Sequence, residues 1–136
     1  MQTYNGGGKP TKPERSDAIT FTFTAPVMPW LVLAGWDGSA TAVTVHFQNS
    51  KKNDILSVRD ASTGADLAAF GSVQLMGDYS ATADFSGSTM TASGNTVTIA
   101  LGTVKGPVKD KAKKAAMIWT APGGTVTETG ALDSEF

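Results

Sequence analysis

The chain has 136 residues, no cysteine, 40% hydrophobic and 17% charged residues, and a formal net charge of -1. That length suits one core, since domains commonly run ~100–150 residues and two halves would each bury too little surface. The absence of cysteine excludes disulfide scaffolds, Cys-based zinc sites and thiol catalysis. A near-zero net charge exerts no general pull on nucleic acid or acidic lipid, so neither is an expected partner.

Residues 1–17, MQTYNGGGKPTKPERSD, lack the apolar stretch of a secretory signal, and the expectation is synthesis without an export signal. Their triple glycine, prolines and alternating charges offer little apolar surface to offset the entropy of ordering. They are expected to form a flexible N-terminal arm, leaving one domain over 18–136. The longest largely apolar run, residues 25–34, contains two prolines and is shorter than the ~20 apolar residues that span a bilayer.

From Ala18 the pattern becomes that of strands. Ile19, Phe21 and Phe23 alternate with Thr20, Thr22 and Thr24, the period of two of a half-buried strand. Pro26 and Pro29 close it, residues 30–36 resume as an apolar stretch, and Asp37-Gly38-Ser39 reads as a turn. Val43, Val45 and Phe47 then face one way, with Thr44, His46 and Gln48 facing the other, before a polar hairpin loop at 49–54. A short strand over 55–59 leads to a surface turn at 60–66, and residues 67–75 read as a strand kinked at Gly71.

Ala81, Ala83 and Phe85 alternate again. Met90 and Ala92, then Val97, Ile99 and Leu101, flank Ser93-Gly94-Asn95, the clearest hairpin turn in the chain. Residues 106–116 read as a helical turn or loop, 115–120 as a strand, and Val126 as the start of one more. Short strands with turn signals every ~8–12 residues predict an all-β antiparallel sandwich or barrel. The long Pro-broken second segment and the uneven loops favour a sandwich with Greek-key connections. Phe21, Phe23, Val43, Val45, Val97, Ile99 and Trp119 are the expected shared core.

Three stretches, VLAGWDGSATAVTVHF (32–47), SGSTMTASGNTVTIALGT (86–103) and AAMIWTAPGGTVTETGALDSEF (115–136), carry a family likeness. They resemble immunoglobulin-like β-sandwich modules of actinobacterial surface proteins and of virion proteins of phages that infect such hosts. The resemblance covers 18–136, and the basic insertion between Lys105 and Lys114 departs from its pattern. It implies an immunoglobulin-like fold and a setting on a virion or cell surface, and it brings no catalytic residues.

Candidate chemistry is sparse. His46 is the single histidine and is expected to be an ordinary solvent-facing strand residue. Asp54, Asp60 and Asp66 lack the spacing of a calcium loop, and Asp78 with Asp84 shows no motif for a glycosidase carboxylate pair. No catalytic residue, metal or cofactor is therefore assigned. Trp30 and Trp36, if exposed, would stack on sugar rings, whereas buried tryptophans, Trp119 among them, would fill the core.

Two segments are read as partner-binding. In the arm, Tyr4, Lys9, Pro10, Lys12, Pro13 and Arg15 form an extended strip suited to a groove or a sheet edge. Lys105, Lys109, Lys111, Lys113 and Lys114 form a basic loop that an acidic surface, or the acidic tail of a neighbouring copy, would complement. Taken with the resemblance, the expected function is a non-enzymatic phage capsid decoration protein. Its partners would be the major capsid protein or another virion protein, with a homo-oligomer also allowed. The alternative is a carbohydrate-binding or adhesive module of a secreted bacterial surface protein, with a glycan as ligand and an extracellular location.

Overall fold

The structure, a computed structural model, describes residues 1–6, 8–9, 12–109 and 116–122, with the backbone of 127–128. Its strands arise where β-branched and aromatic residues alternate with polar ones. They are β1 (Gln2–Tyr4), β2 (Ala18–Thr22), β3 (Thr41–Gln48), β4 (Ile55–Asp60) and β5 (Ser72–Gln74). After these come β6 (Ala83–Ser93), β7 (Thr96–Ala100), β8 (Thr103–Lys105), β9 (Ile118–Thr120) and β10 (Thr127–Glu128). One helical turn, α1 (Pro29–Val32), and one 3₁₀ turn (Ala68–Phe70) interrupt them.

All the strands join one sheet in the order β1-β2-β7-β6-β3-β4-β5-β9-β10, with β8 pairing the first part of β6. Every pairing is antiparallel. The sheet curls on itself as a half-barrel, because its inward side chains meet across its width. Phe21 of β2 lies 4.9 Å from Phe70 and 5.2 Å from Trp119 of β9, and Phe47 of β3 lies 5.2 Å from Phe85 of β6. Ile19, Val43, Val45, Leu56, Val58, Val97 and Ile99 are among the other side chains of this interior. The buried Trp119 indole N–H donates to the Phe70 carbonyl at 2.7 Å, as a buried indole requires.

β6 keeps one inward face by a bulge. Val43 pairs with Ser88 but Val45 with Phe85, so Ser86 and Gly87 together oppose Thr44. Gly87 takes a φ of 66°, and the inward phase resumes at Ser88 and Met90. Ser88 closes the gap: its hydroxyl donates to the Phe85 carbonyl (2.8 Å) and accepts the Gly102 N–H (3.0 Å). The expected hairpin between Met90 and Ile99 is present. Gly94 carries the positive φ (59°) that a type II′ turn needs at its first central residue.

Several expectations are corrected. Residues 30–36 form α1 and a loop, because Pro29 starts a helical turn and the prolines break any ladder. Residues 67–75 divide at Gly71 (φ 58°) into the 3₁₀ turn and β5, so the kink is real but its first half is not strand. Phe23 is only partly buried, packing edge to face on Trp119 at 5.3 Å. Most consequentially, Gln2–Tyr4 is not a free arm but a strand of the sheet, with Met1 and Thr3 buried. Among the described residues no helix is long and apolar enough to cross a membrane.

Candidate functional site

The N-terminal segment is folded by one carboxylate. Asp17, 1% exposed, accepts the Gly6 N–H at 2.8 Å and the Glu14 N–H at 2.7 Å, one on each oxygen. Burial pushes its carboxyl up from the usual range, against the pull of those two donors. The chain behind it is hydrogen-bonded to β7's exit, Ser16 N–H to the Leu101 carbonyl and Leu101 N–H to the Asp17 carbonyl. Gly6 is needed for packing: a Cβ there would stand 2.1 Å from the Ser16 carbonyl oxygen. A glycine that reads as a linker residue in the sequence is a point of close backbone contact in the fold.

This arrangement sorts the residues expected to bind a partner. Tyr4 is 48% exposed, and Lys9 and Arg15 also face outward. Lys12 is half-buried and ion-paired with Glu14 at 3.2 Å; the Lys9 N–H, donating to Glu14 at 3.1 Å, and then this ammonium hold that carboxyl below its usual range. Pro13 is buried, which corrects its assignment as a contact residue. Pro10 lies outside the described residues.

At the other end of β2 stands an apolar knob. The Gly94 carbonyl accepts the Val27 N–H (2.9 Å), the Gly38 carbonyl accepts the Ala92 N–H (2.9 Å), and Asn95 and Phe23 exchange hydrogen bonds. These bonds grip both ends of the connection that carries α1. On it Met28, Trp30 and Leu31 are 53%, 60% and 71% exposed. Beside them lies an open cleft of about 310 Å³ with Phe23, Pro26, Val27, Leu31 and Val32 in its walls. Trp36, by contrast, is buried, and its indole N–H donates to the Ser39 carbonyl at 2.6 Å. The expected pair of stacking tryptophans is thereby reduced to Trp30 alone.

On the outer face the registers align a polar rung that the sequence conceals. Lys105 pairs with Asp84, Asp84 with His46, and His46 with Ser57, across β8, β6, β3 and β4. His46 Nδ1 lies 2.6 Å from Asp84 Oδ1, so the histidine is a half-buried, carboxylate-bonded group and not a freely solvated one. The Ser57 hydroxyl donates to Asp66 (3.0 Å), not to the imidazole, and Arg59 Nε donates to the same oxygen at 2.8 Å. The Arg59 guanidinium holds the Asp66 carboxyl below its usual value. The result is a row of polar side chains across four strands, joined by the His46–Asp84, Ser57–Asp66 and Arg59–Asp66 bonds. Alternation in β3 foretold the face of His46, but only the strand order supplies its partners.

The other acids are occupied structurally. Asp54 is fully buried and accepts the N–H groups of Ser50 (3.1 Å), Tyr79 (2.7 Å) and Ser80 (2.8 Å). Asp60 caps its own turn through Ser62 and Thr63, which lowers its carboxyl from the usual value. Among the described residues no group of three or more His, Cys, Asp or Glu is placed to hold a metal ion. Asp78 pairs with Lys109 and Asp84 with His46, so these two carboxylates do not act as a couple. Lys105 is exposed, while Lys111, Lys113, Lys114 and the acidic tail lie outside the described residues. Compared with family models, curated proteins and solved structures, the chain finds no match in any of the three.

Proposed function

We propose that the chain is a non-enzymatic structural protein of a phage virion. In this reading it is a capsid decoration protein that docks on the major capsid protein lattice or another virion protein. The observation that carries the reading is the outward display of Tyr4, Lys9 and Arg15 on a segment that Asp17 holds in one shape. Tyr and Arg are enriched among residues that dominate protein interfaces, and a preordered segment avoids the ordering cost of a disordered arm. The expected partner surface is acidic, with Lys105 and the basic residues Lys111, Lys113 and Lys114 adding a salt-sensitive contribution.

The immunoglobulin-like assignment belongs to the same proposal. It is supported by the spatial order β6-β3-β4-β5, in which β6 returns beside β3 as the fourth strand of a Greek key does. A second reading, an adhesive or carbohydrate-binding module outside the cell, draws on the exposed Trp30. Cosedimentation with the parent particle separates the two. A Tyr4→Ser/Arg15→Glu variant should lose particle binding tenfold or more with its melting temperature unchanged. Undiminished binding by that variant, or glycan-array binding that requires Trp30, would overturn the docking reading.

A further inference from the structure

We infer that the Lys51–Lys52 turn joins Lys9, Arg15 and Lys105 in one cationic face at a single end of the sheet, and that this face fits an acidic protein surface. It deepens the docking reading, on which it rests for the particle, by adding a second contact element far from Tyr4 in the chain.

Every strand pairing is antiparallel, so the chain leaves β1, β3, β5, β7 and β8 at the same end. Lys9 and Arg15 follow β1, Lys51 and Lys52 follow β3, and Lys105 is the last residue of β8. The sequence spreads these cations from position 9 to position 105, and only the strand directions gather them. Hydrogen bonds also tie the connections together. Leu101 holds Ser16 and Asp17 beside the entry to β8, and Asp54 joins its own loop to the N–H groups of Tyr79 and Ser80. The Tyr79 carbonyl in turn accepts the Lys109 N–H at 2.8 Å.

The acids at this end do not cancel the face. Asp17 and Asp54 are buried and bonded to backbone N–H groups, Glu14 pairs with Lys12, Asp78 with Lys109, and Asp84 with His46. The five cations of the face are exposed, and none makes an ion pair among the described residues. Asp37 and Asp60 lie at the opposite end, each bonded within its own turn. A formal net charge of -1 therefore conceals a one-sided molecule, whose positive end attracts an acidic partner.

Lys51 shows that the turn is built to present charge. Its φ of 54° lies in the left-handed region that favours glycine. The Lys51 N–H donates to Asn49 Oδ1 (3.0 Å) and the Ser50 N–H to Asp54 Oδ1 (3.1 Å), so the backbone is fixed while both ammonium groups stand in solvent. Glycine would take this backbone more easily, and a lysine in its place points to a use for the ammonium. The surroundings favour a protein over nucleic acid as partner. Tyr4 and Met76 are 48% and 39% exposed, and Met76 N–H is bonded to Asn53 beside the turn. Tyr, Met and Arg are enriched in protein interfaces, whereas nucleic-acid platforms set aromatic rows among their cations, and Tyr4 is the one exposed aromatic at this end among the described residues.

Titration of the purified chain with poly-L-glutamate at pH 7 and about 0.05 M salt tests the inference without the particle. The parent should bind despite its net charge of -1, and binding should fade towards about 0.15 M salt. Lys51→Gly/Lys52→Ser should weaken binding fivefold or more, with a melting temperature no lower than the parent's. Ala61→Asp/Ala65→Asp, the same change of charge at the opposite end, should weaken it less than twofold. Cosedimentation of the lysine variant with particles should fall as its polyglutamate binding does. A parent that ignores polyglutamate, or a lysine variant that binds it like the parent, overturns the inference and leaves the N-terminal docking segment in place. Duplex DNA bound at about 0.15 M salt, where polyglutamate is released, overturns it in favour of nucleic acid. Polyglutamate binding as expected from a parent that particles do not take up supports the acidic-surface inference and defeats the docking reading.

Discussion

Phe21 and Trp119 meet edge to face with ring centroids 5.2 Å apart, although they stand on the second and eighth strands in the sheet order. Six strand steps at ~4.8 Å would hold them ~29 Å apart in a flat sheet. Their contact is what makes the single sheet a curled body with an interior. Phe21 also touches Phe70, whose carbonyl accepts the Trp119 indole N–H, so one aromatic group joins β2, β9 and the 3₁₀ turn. Phe21→Ala should cost about 3–5 kcal/mol in urea unfolding, the range for removing a buried Phe. A loss below about 1 kcal/mol would mean that the two ends of the sheet do not depend on each other.

The β6 bulge makes a separate prediction. Ser88→Ala leaves the Gly102 N–H without its acceptor in a buried position, at a cost of about 1–3 kcal/mol. Ser88→Thr keeps the hydroxyl but crowds a site with no exposed surface, and should recover only part of that loss. Hydrogen exchange at Gly102 gives the direct readout. Protection unchanged in Ser88→Ala would show that another group holds this amide.

Much of the strand content was legible because alternation of β-branched and polar residues reports a half-buried strand locally. β3, β7 and the turn at Gly94 were readable for that reason. What stayed hidden depends on contacts between distant residues. Gly6 looked like a linker residue because nothing nearby reveals that the Ser16 carbonyl lies against it. The composition of residues 1–17 argues for disorder, yet one buried carboxylate at Asp17 and a three-residue strand tie the segment down. His46 likewise shows its face in the sequence but not Asp84, which lies 38 residues away and meets it only through the β3–β6 register.

Asp17 should give the N-terminal segment a characteristic pH response. Its folded carboxyl sits above the unfolded value of about 3.9 because burial disfavours the charged form. The folded state therefore binds this proton more tightly than the unfolded state. The group's contribution is complete below the unfolded value and is lost as pH rises through the folded one. Wild-type stability relative to Asp17→Asn should accordingly increase as pH is lowered from 7 towards 4, a subtraction that cancels the distant opposing carboxylates Asp60 and Asp66. Thermal melts at each pH supply the comparison, and a difference of opposite slope would contradict the assignment.

The tryptophans should separate cleanly. Trp36→Ala removes a buried ring and its bond to the Ser39 carbonyl, and should destabilise by about 3–5 kcal/mol. Trp30→Ala, at an exposed position, should stay within about 0.5 kcal/mol of the parent. Equal effects would place both rings in one environment, contrary to the exposed position of Trp30 in α1 and the buried one of Trp36.

Electron microscopy of the parent particle, prepared with and without this protein, bears most directly on the docking function. Expected is added density at regular lattice positions, with the Tyr4, Lys9 and Arg15 face of each copy turned towards the capsid and the density lost with Tyr4→Ser/Arg15→Glu. Particles with identical surfaces in the presence and absence of the protein would contradict it.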